Sequence, residues 1–513
     1  MVKYSGGALL PALSVDKGAA TPLVVQLSYA LREAILSGAI AAGARLPSSR
    51  TLARDLGLSR TTVVAVYDQL TSEGLIDSRV GAGAFVSVEV NVNVPTAIEP
   101  QGGELGRQPA RLARIALGAS QQFLPRLAHL PEHRAFITGM PALEAFPVAL
   151  WARLTARCWR GSRGQMLGYP DPAGLKALRH AVAAHLRLNR GILCEPESVF
   201  IVNGAQEAFN RIGSMLLDPG DPVWFENPGA IGARNSLFAA GARLVPVPVD
   251  DEGISVAEGL RTSPDFRLAF VTPSHQHPTG VTMSLSRRFE LLQAAEQADA
   301  WIIEDDYDGE FFYSGRPPPT LKSIDKAGRV IYVGTFSKSL FPALRLGFMV
   351  APPALVEAFD RVARATQQGA STNQQCVVAS FIGEGHFATH IRRMGKLYAE
   401  RQEVLMDEAR DHLSGVLDVV RAESGIQTIG RFAAGIDEVA VAEAAARRGI
   451  VAAPISRFCL EPVENSGLVL GFSACSPREI KAGVGVLAQI LSPAQRQAHP
   501  TLRVCVPSAG RTG

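Results

Sequence analysis

The sequence predicts an α/β protein that carries a small helical module at its amino terminus. Three observations lead there. From residue 133 to 492, short apolar strands alternate with longer helical stretches, the pattern of a sheet with helices on its faces. Residues 20–88 read instead as three short helices followed by a hairpin. Between the two, residues 89–132 mix Pro, Gly, Gln and scattered Arg without periodicity and read as a linker, with a short helix near "ARLARIAL"; residues 493–513 read as a flexible tail.

A chain of 513 residues is too long for one ordinary domain, and its 47% hydrophobic content is ample for several cores. The formal net charge of +3 neither requires nor forbids a nucleic-acid partner, because local clustering decides that. Cys158, Cys194, Cys376, Cys459, Cys475 and Cys505 fall in no metal or redox spacing and read as small core hydrophobes, with no metal expected. There is no charged start followed by an apolar secretory core, and no apolar run long enough to span a bilayer. These features predict a reduced, cytoplasmic protein.

In the amino-terminal module Leu23, Leu27, Leu31 and Ile35 recur four apart, after Pro22 and before Gly38, which start and stop a first helix. A second helix follows "LPSS", turns Leu52, Ala53 and Leu56 inward, and stops at Gly57-Leu58. Ser59 suits the N-cap of a third helix, buried through Val63, Val66, Tyr67 and Leu70, which leaves Arg60, Thr61, Thr62, Ala65 and Gln69 outside. A first turn of Arg, Thr and Thr suits the major groove: Arg bonds guanine edges or phosphates, and Thr reaches phosphates or a thymine methyl. "GLIDSRVGAGAFVSV" reads as two strands around a slim tip at Gly81-Ala82-Gly83. Helix–turn–helix geometry alone also fits a small module that binds protein.

In the large region, "RVIYVGTFSKSLFPALRLGFMVAP" brackets a polar turn holding Lys338 between two apolar strands. A lysine held against apolar surface gives up its proton more readily, as an imine-forming amine must. Thr335, Ser337 and Arg345 are donors suited to a phosphate. A phosphate beside an aldehyde-capturing lysine suggests pyridoxal 5′-phosphate. Three further strand ends agree. "AWIIEDDYDGEFFY" ends in Glu304, Asp305, Asp306 and Tyr307, where a carboxylate can pair with a pyridinium nitrogen. "VFIVNGAQEAFNRIG" runs through Gly204 into a helix start, an anion site. "LAFVTPSHQHPTGV" carries His277 and Pro278 at its turn. Singly, each is a common loop; together they lie where α/β proteins gather ligands.

The stretches "GAIAAGARLPSSRTLARDLGLSRTTVVAVYDQLTSEGLI" and "GAGAFV" resemble the winged helix–turn–helix of the GntR family of bacterial regulators. By that resemblance Arg45, Ser48, Arg50, Arg60, Thr61, Thr62 and Gly83 contact DNA. The stretches "GYPDPAGLKALRHAVAAHL", "VTPSHQHPTGV", "IIEDDYDGEF" and "GTFSKSLFPALRLGF" resemble fold-type I aminotransferases, in the version fused to GntR modules, the MocR family. This implies a large cofactor-binding domain and a smaller carboxyl-terminal α+β subdomain. It also implies Lys338 as the Schiff-base lysine, Asp305 at the ring nitrogen and Tyr307 near the ring oxygen. Gly204, Ala205, Gln206, Thr335, Ser337 and Arg345 are then placed around the phosphate.

Two departures stand out. Aminotransferases carry Asn-Pro-x-Gly where this chain has His277-Pro278-Thr279-Gly280, which favours regulation over turnover. Relatives place an aromatic after Pro-Gly to stack on the ring, whereas here Ala230 stands there, with Phe225 or a partner subunit as possible substitutes. For an effector carboxylate, Arg457 and Arg234 are candidates that read equally well as surface charges. The expectation is a homodimeric transcriptional regulator in which an amino compound, or pyridoxal phosphate itself, changes binding to operator DNA. An active aminotransferase with a DNA-binding appendage is the competing reading, and a regulator that has lost its cofactor is the third.

Overall fold

A computed structural model describes residues 13–79, 83–89, 112–113, 116–118, 123, 135–161, 163–313 and 317–492, together with the pairs 2–3 and 9–10. The expected linker lies almost wholly outside the described residues, as do the tail and the hairpin tip at Gly81-Ala82. The chain forms two units, Met1–Arg111 and Leu112–Gly513.

The first unit packs helices α1 (Leu23–Leu36), α2 (Ser49–Leu56) and α3 (Arg60–Ser72) against a hairpin of Ile76–Arg79 and Gly83–Val86. Leu27, Leu31, Ile35, Leu52, Val63, Val66, Leu70, Ile76 and Val86 are fully or almost fully buried. Each such side chain stabilises the unit by about 1.5–3 kcal/mol through removal from water. The stripe expected on α3 is the one observed, while Leu56 of α2 is only half-buried. A bridge between Arg45 and Phe85 adds a third line to the hairpin.

The second unit is built on an eight-stranded sheet in the order Val199–Val202, Gly347–Val350, Val330–Thr335, Trp301–Asp306, Leu268–Val271, Pro222–Asn227, Arg243–Asp250 and Gly253–Ile254. The five strands from Val330–Thr335 to Arg243–Asp250 pair in parallel, and Gly347–Val350 is antiparallel to both neighbours. Parallel strands covered on both faces read as continuous apolar runs: "LAFV" is buried throughout, as are the first five residues of Val330–Thr335. A second sheet, Leu417–Val419, Gln427–Phe432, Gly467–Gly471 and Ala453–Pro454, packs with the helices Glu438–Arg447 and Pro477–Ile490 as the smaller α+β subdomain.

A strap at 135–140 runs beside the second sheet. Val451 N–H donates to the Ala135 carbonyl and Gly471 N–H to the Phe136 carbonyl, each at 3.0 Å. The Ser473 hydroxyl donates to the Met140 carbonyl at 2.6 Å. The strap passes from the subdomain to the carboxyl ends of the large sheet's strands.

Candidate functional site

Those strand ends open on a cavity of about 900 Å³. Gly204, Ala205, Gln206, His277, Asp305, Tyr307, Thr335, Ser337, Lys338 and Arg345, the residues expected around a cofactor, all line it.

One end is made for an anion. The helix Ala205–Leu216 starts at the cavity wall behind Gly204, whose φ of 97° and ψ of 165° only glycine adopts readily. No side chain caps this helix, so its first N–H groups and the positive end of its dipole are left for a ligand. The Thr335 hydroxyl caps the turn Phe336–Ser339 by accepting from Ser337 N–H at 3.2 Å. Arg345 holds a left-handed φ of 52°, a strain of about 1–3 kcal/mol for a non-glycine residue.

Strand alternation separates the three acids of Trp301–Asp306. Glu304 accepts from Leu321 and Lys322 N–H at 2.8 Å each, and burial raises its pKa to about 7. Asp306 accepts from the Tyr332 hydroxyl at 2.5 Å and pairs with Arg190 at 2.6 Å. Asp305 points the other way, into the cavity, and among the described residues its Oδ1 has no hydrogen-bond partner. Burial, then the charges of Asp306, Asp308 and Glu226, hold its pKa well above the carboxylate range, against the pull of Lys338. A cationic ring N–H would satisfy that oxygen.

The Lys338 amine donates to the Gly139 carbonyl of the strap. Gly139 has a φ of 68°, and a Cβ there would lie 2.7 Å from Nζ. His277 sits opposite, its ring edge-on to Tyr307 at 5.5 Å and to Phe458 at 5.2 Å. Enclosure, then the charges of His275 and Lys338, lower its pKa to about 3, so it is neutral near pH 7. Its loop is pinned from beneath: His277 N–H donates to Thr272 Oγ1 at 2.9 Å, and Thr272 Oγ1 donates to Glu226 at 2.7 Å.

Phe225 does not replace the missing aromatic at Ala230. It is buried and stacked on Phe270 at 5.2 Å, because its place on Pro222–Asn227 turns it into the core. Phe146, Trp151, Phe341 and Phe458 line the cavity instead, together with Gln427, and none of the five lies in a motif that marks it as a site residue. Of the two candidate arginines, neither is an ordinary surface charge. Arg457 lines the cavity, half-buried. Arg234 is buried beside it and donates to the Cys459 carbonyl at 3.4 Å; burial and the Arg457 charge lower its pKa.

In the first unit Arg45, Ser48, Arg50, Arg60, Thr61 and Gly83 are exposed. Thr62 is half-buried, and its N–H donates to Ser59 Oγ at 3.0 Å, the expected cap. The first turn of α3 therefore presents Arg60 and Thr61 to solvent on a rigid, capped end.

Residues 139–487 match the family model for aminotransferase class I and II, and residues 23–86 match that for bacterial regulatory proteins, gntR family. The chain is 42% identical over 477 residues to the probable rhizopine catabolism regulatory protein MocR of Rhizobium meliloti, covering 93% of this chain and 95% of that one. It is 34% identical over 397 residues to the HTH-type transcriptional regulator TauR of Rhodobacter capsulatus, covering 75% and 79%. Among solved structures, kynurenine aminotransferase of Pyrococcus horikoshii, solved with PMP, matches with a TM-score of 0.66 at 26% identity, over 73% of this chain and 98% of that one. Joined in one polypeptide, the exposed winged module and the aminotransferase-like cavity identify the chain as a member of the GntR family of DNA-binding transcriptional regulators, of the MocR type that carries an aminotransferase class I and II domain.

Proposed function

We infer that the cavity holds pyridoxal 5′-phosphate and senses a small amino compound, or the cofactor itself, to adjust operator binding. The carrying observation is the buried, unpartnered Asp305 oxygen in the same cavity as the Lys338 amine and an uncapped helix start. When bound, the cofactor supplies an aldehyde that bonds covalently to an amine and a ring that withdraws electrons. Asp305 would hold the ring nitrogen and Tyr307 the ring oxygen. The N–H groups at Gly204 and Ala205, with Gln206, Thr335, Ser337 and Arg345, would hold the phosphate. Neutral His277 would orient the ring edge, and Phe458 and Trp151 would exclude water. Arg457, backed by Arg234, would attract an anionic group on the effector.

Arg45, Ser48, Arg50, Arg60, Thr61, Thr62 and Gly83 would contact DNA, two winged modules of a homodimer meeting paired half-sites. Ligand states that prefer different conformations of the large unit shift the population that binds DNA. The test is an absorption spectrum of the purified protein and of Lys338→Ala, with footprinting on flanking DNA with and without pyridoxal phosphate and an amine panel. A colourless wild type would remove the cofactor from the reading, and footprints indifferent to every compound would remove the sensor.

A further inference from the structure

Gln427 opens the strand Gln427–Phe432, lines the cavity and is 1% exposed. Among the described residues neither its Oε1 nor its Nε2 has a hydrogen-bond partner. Buried amides are nearly always paired, so an amide left with neither atom paired in the wall of a ligand cavity is a recognition element in want of its complement. Its place is set by the sheet: Gln427 is opposite Gly471, whose N–H donates to the Phe136 carbonyl of the strap. Three residues along that strap the Gly139 carbonyl accepts from Lys338. The amide and the Lys338 amine therefore belong to one cavity, into which a compound held by its amine would extend.

A carboxamide shows one acceptor and one donor side by side. Its complement is a neutral group with the same pair: a second carboxamide, or two adjacent hydroxyls. A carboxylate pairs with Nε2 and leaves Oε1 facing a lone pair, and an alkyl group leaves both atoms unpaired. The argument holds for either orientation of the amide, since both atoms lack partners. We propose that Gln427 determines the specificity of the effector pocket, and that the effector is an amine which also carries a vicinal diol or a carboxamide. The proposal rests on the reading of this cavity as a site for amino compounds.

The test is calorimetric titration of the full-length protein supplied with pyridoxal phosphate, in two matched pairs: 3-amino-1,2-propanediol against propylamine, and L-glutamine against L-norvaline. In at least one pair the polar member binds about tenfold or more tighter, as expected when a site built for hydrogen bonding meets an analogue lacking them. The pair that discriminates says whether hydroxyls or an amide are read. Gln427→Leu brings that ratio close to one and leaves the cofactor absorption intact; Gln427→Met serves as a second variant should leucine fail to fold. Equal affinity within both pairs, no binding by any of the four compounds, or a ratio unmoved in the variants would overturn the proposal. A colourless protein that still shows a Gln427-dependent preference would sink the cofactor reading and leave this inference standing.

Discussion

The Tyr307 hydroxyl lies 3.0 Å from Nδ1 of His275, and the same nitrogen faces the Asp308 carboxylate at 3.0 Å. A bare ring lone pair against a carboxylate would repel, so Nδ1 carries the hydrogen and donates to Asp308, with the Tyr307 oxygen as its second acceptor. The Tyr307 O–H proton is then left for the cavity. Burial, followed by the charge of Asp308, holds the phenol well above its usual pKa, so that proton stays in place. Tyr307→Phe should lower pyridoxal phosphate affinity about tenfold, the effect of about 1.4 kcal/mol for one lost hydrogen bond. Thermal unfolding of the cofactor-free protein should change little. An equilibrium dialysis in which the variant retains wild-type affinity would contradict this donor role.

Gly139 faces a double constraint. Alanine at its φ of 68° costs about 1–2 kcal/mol in backbone strain, and the added Cβ meets the Lys338 amine. Gly139→Ala should lower the melting temperature and also slow the reaction of Lys338 with added pyridoxal phosphate. Stopped-flow absorbance separates these, since strain alone would leave the reaction rate unchanged.

Stability should fall as pH rises through the slightly acidic range. The Glu226 carboxyl is raised from 4.5 to about 7 by burial, partly offset by hydrogen bonds from Thr272 and Gln276, and Glu304 is raised to about 7 by burial as well. The folded state keeps protons that the unfolded chain has released. The stability tied to each group is therefore whole below pH 4.5, declines between 4.5 and about 7, and is gone above that. At about 1.4 kcal/mol per pH unit each group contributes a slope amounting to about 3 kcal/mol. Glu226→Gln should remove the Glu226 share, making the drop in stability between about pH 5 and about pH 8 smaller than in the wild type by about 3 kcal/mol, as read by urea unfolding. An undiminished slope would assign the titration elsewhere.

The winged module offers a paired test. Ser59→Ala removes the cap of α3 and should cost about 1 kcal/mol of stability in that unit. Arg60→Ala should leave stability alone and weaken operator binding. If Arg60 contacts phosphate, the loss is uniform across sequences and the salt slope falls by about 1; if it reads a guanine, specificity at one position relaxes. Titrations at several salt concentrations on wild-type and substituted operators decide between these.

Much of the cavity could be read in advance because its residues follow strands in sequence. A buried apolar run that ends in a polar turn fixes both where the side chains sit and which way they face, as with Val330–Thr335 and Lys338. Resemblance singled out Asp305 among three acids, and the alternation of Trp301–Asp306 gives the reason: Glu304 and Asp306 are consumed by partners on the opposite face. What could not be read is what arrives through packing of the subdomain. Gln427 and Phe458 lie in segments with no chemical signature, and only the docking of one sheet beside the other brings them to Lys338. Phe225 was a plausible ring platform until the register of its strand placed it against Phe270.

The strap holds one further consequence. Lys338 and Ser473 grip adjacent carbonyls, those of Gly139 and Met140. A compound that takes the Lys338 nitrogen for itself unfastens the first and leaves the second closed. The loss of one such bond is worth about 1–2 kcal/mol, too little to release the segment and yet of the size of typical coupling energies between distant sites. A latch of that strength can bias a conformational balance while the fold around it stays intact.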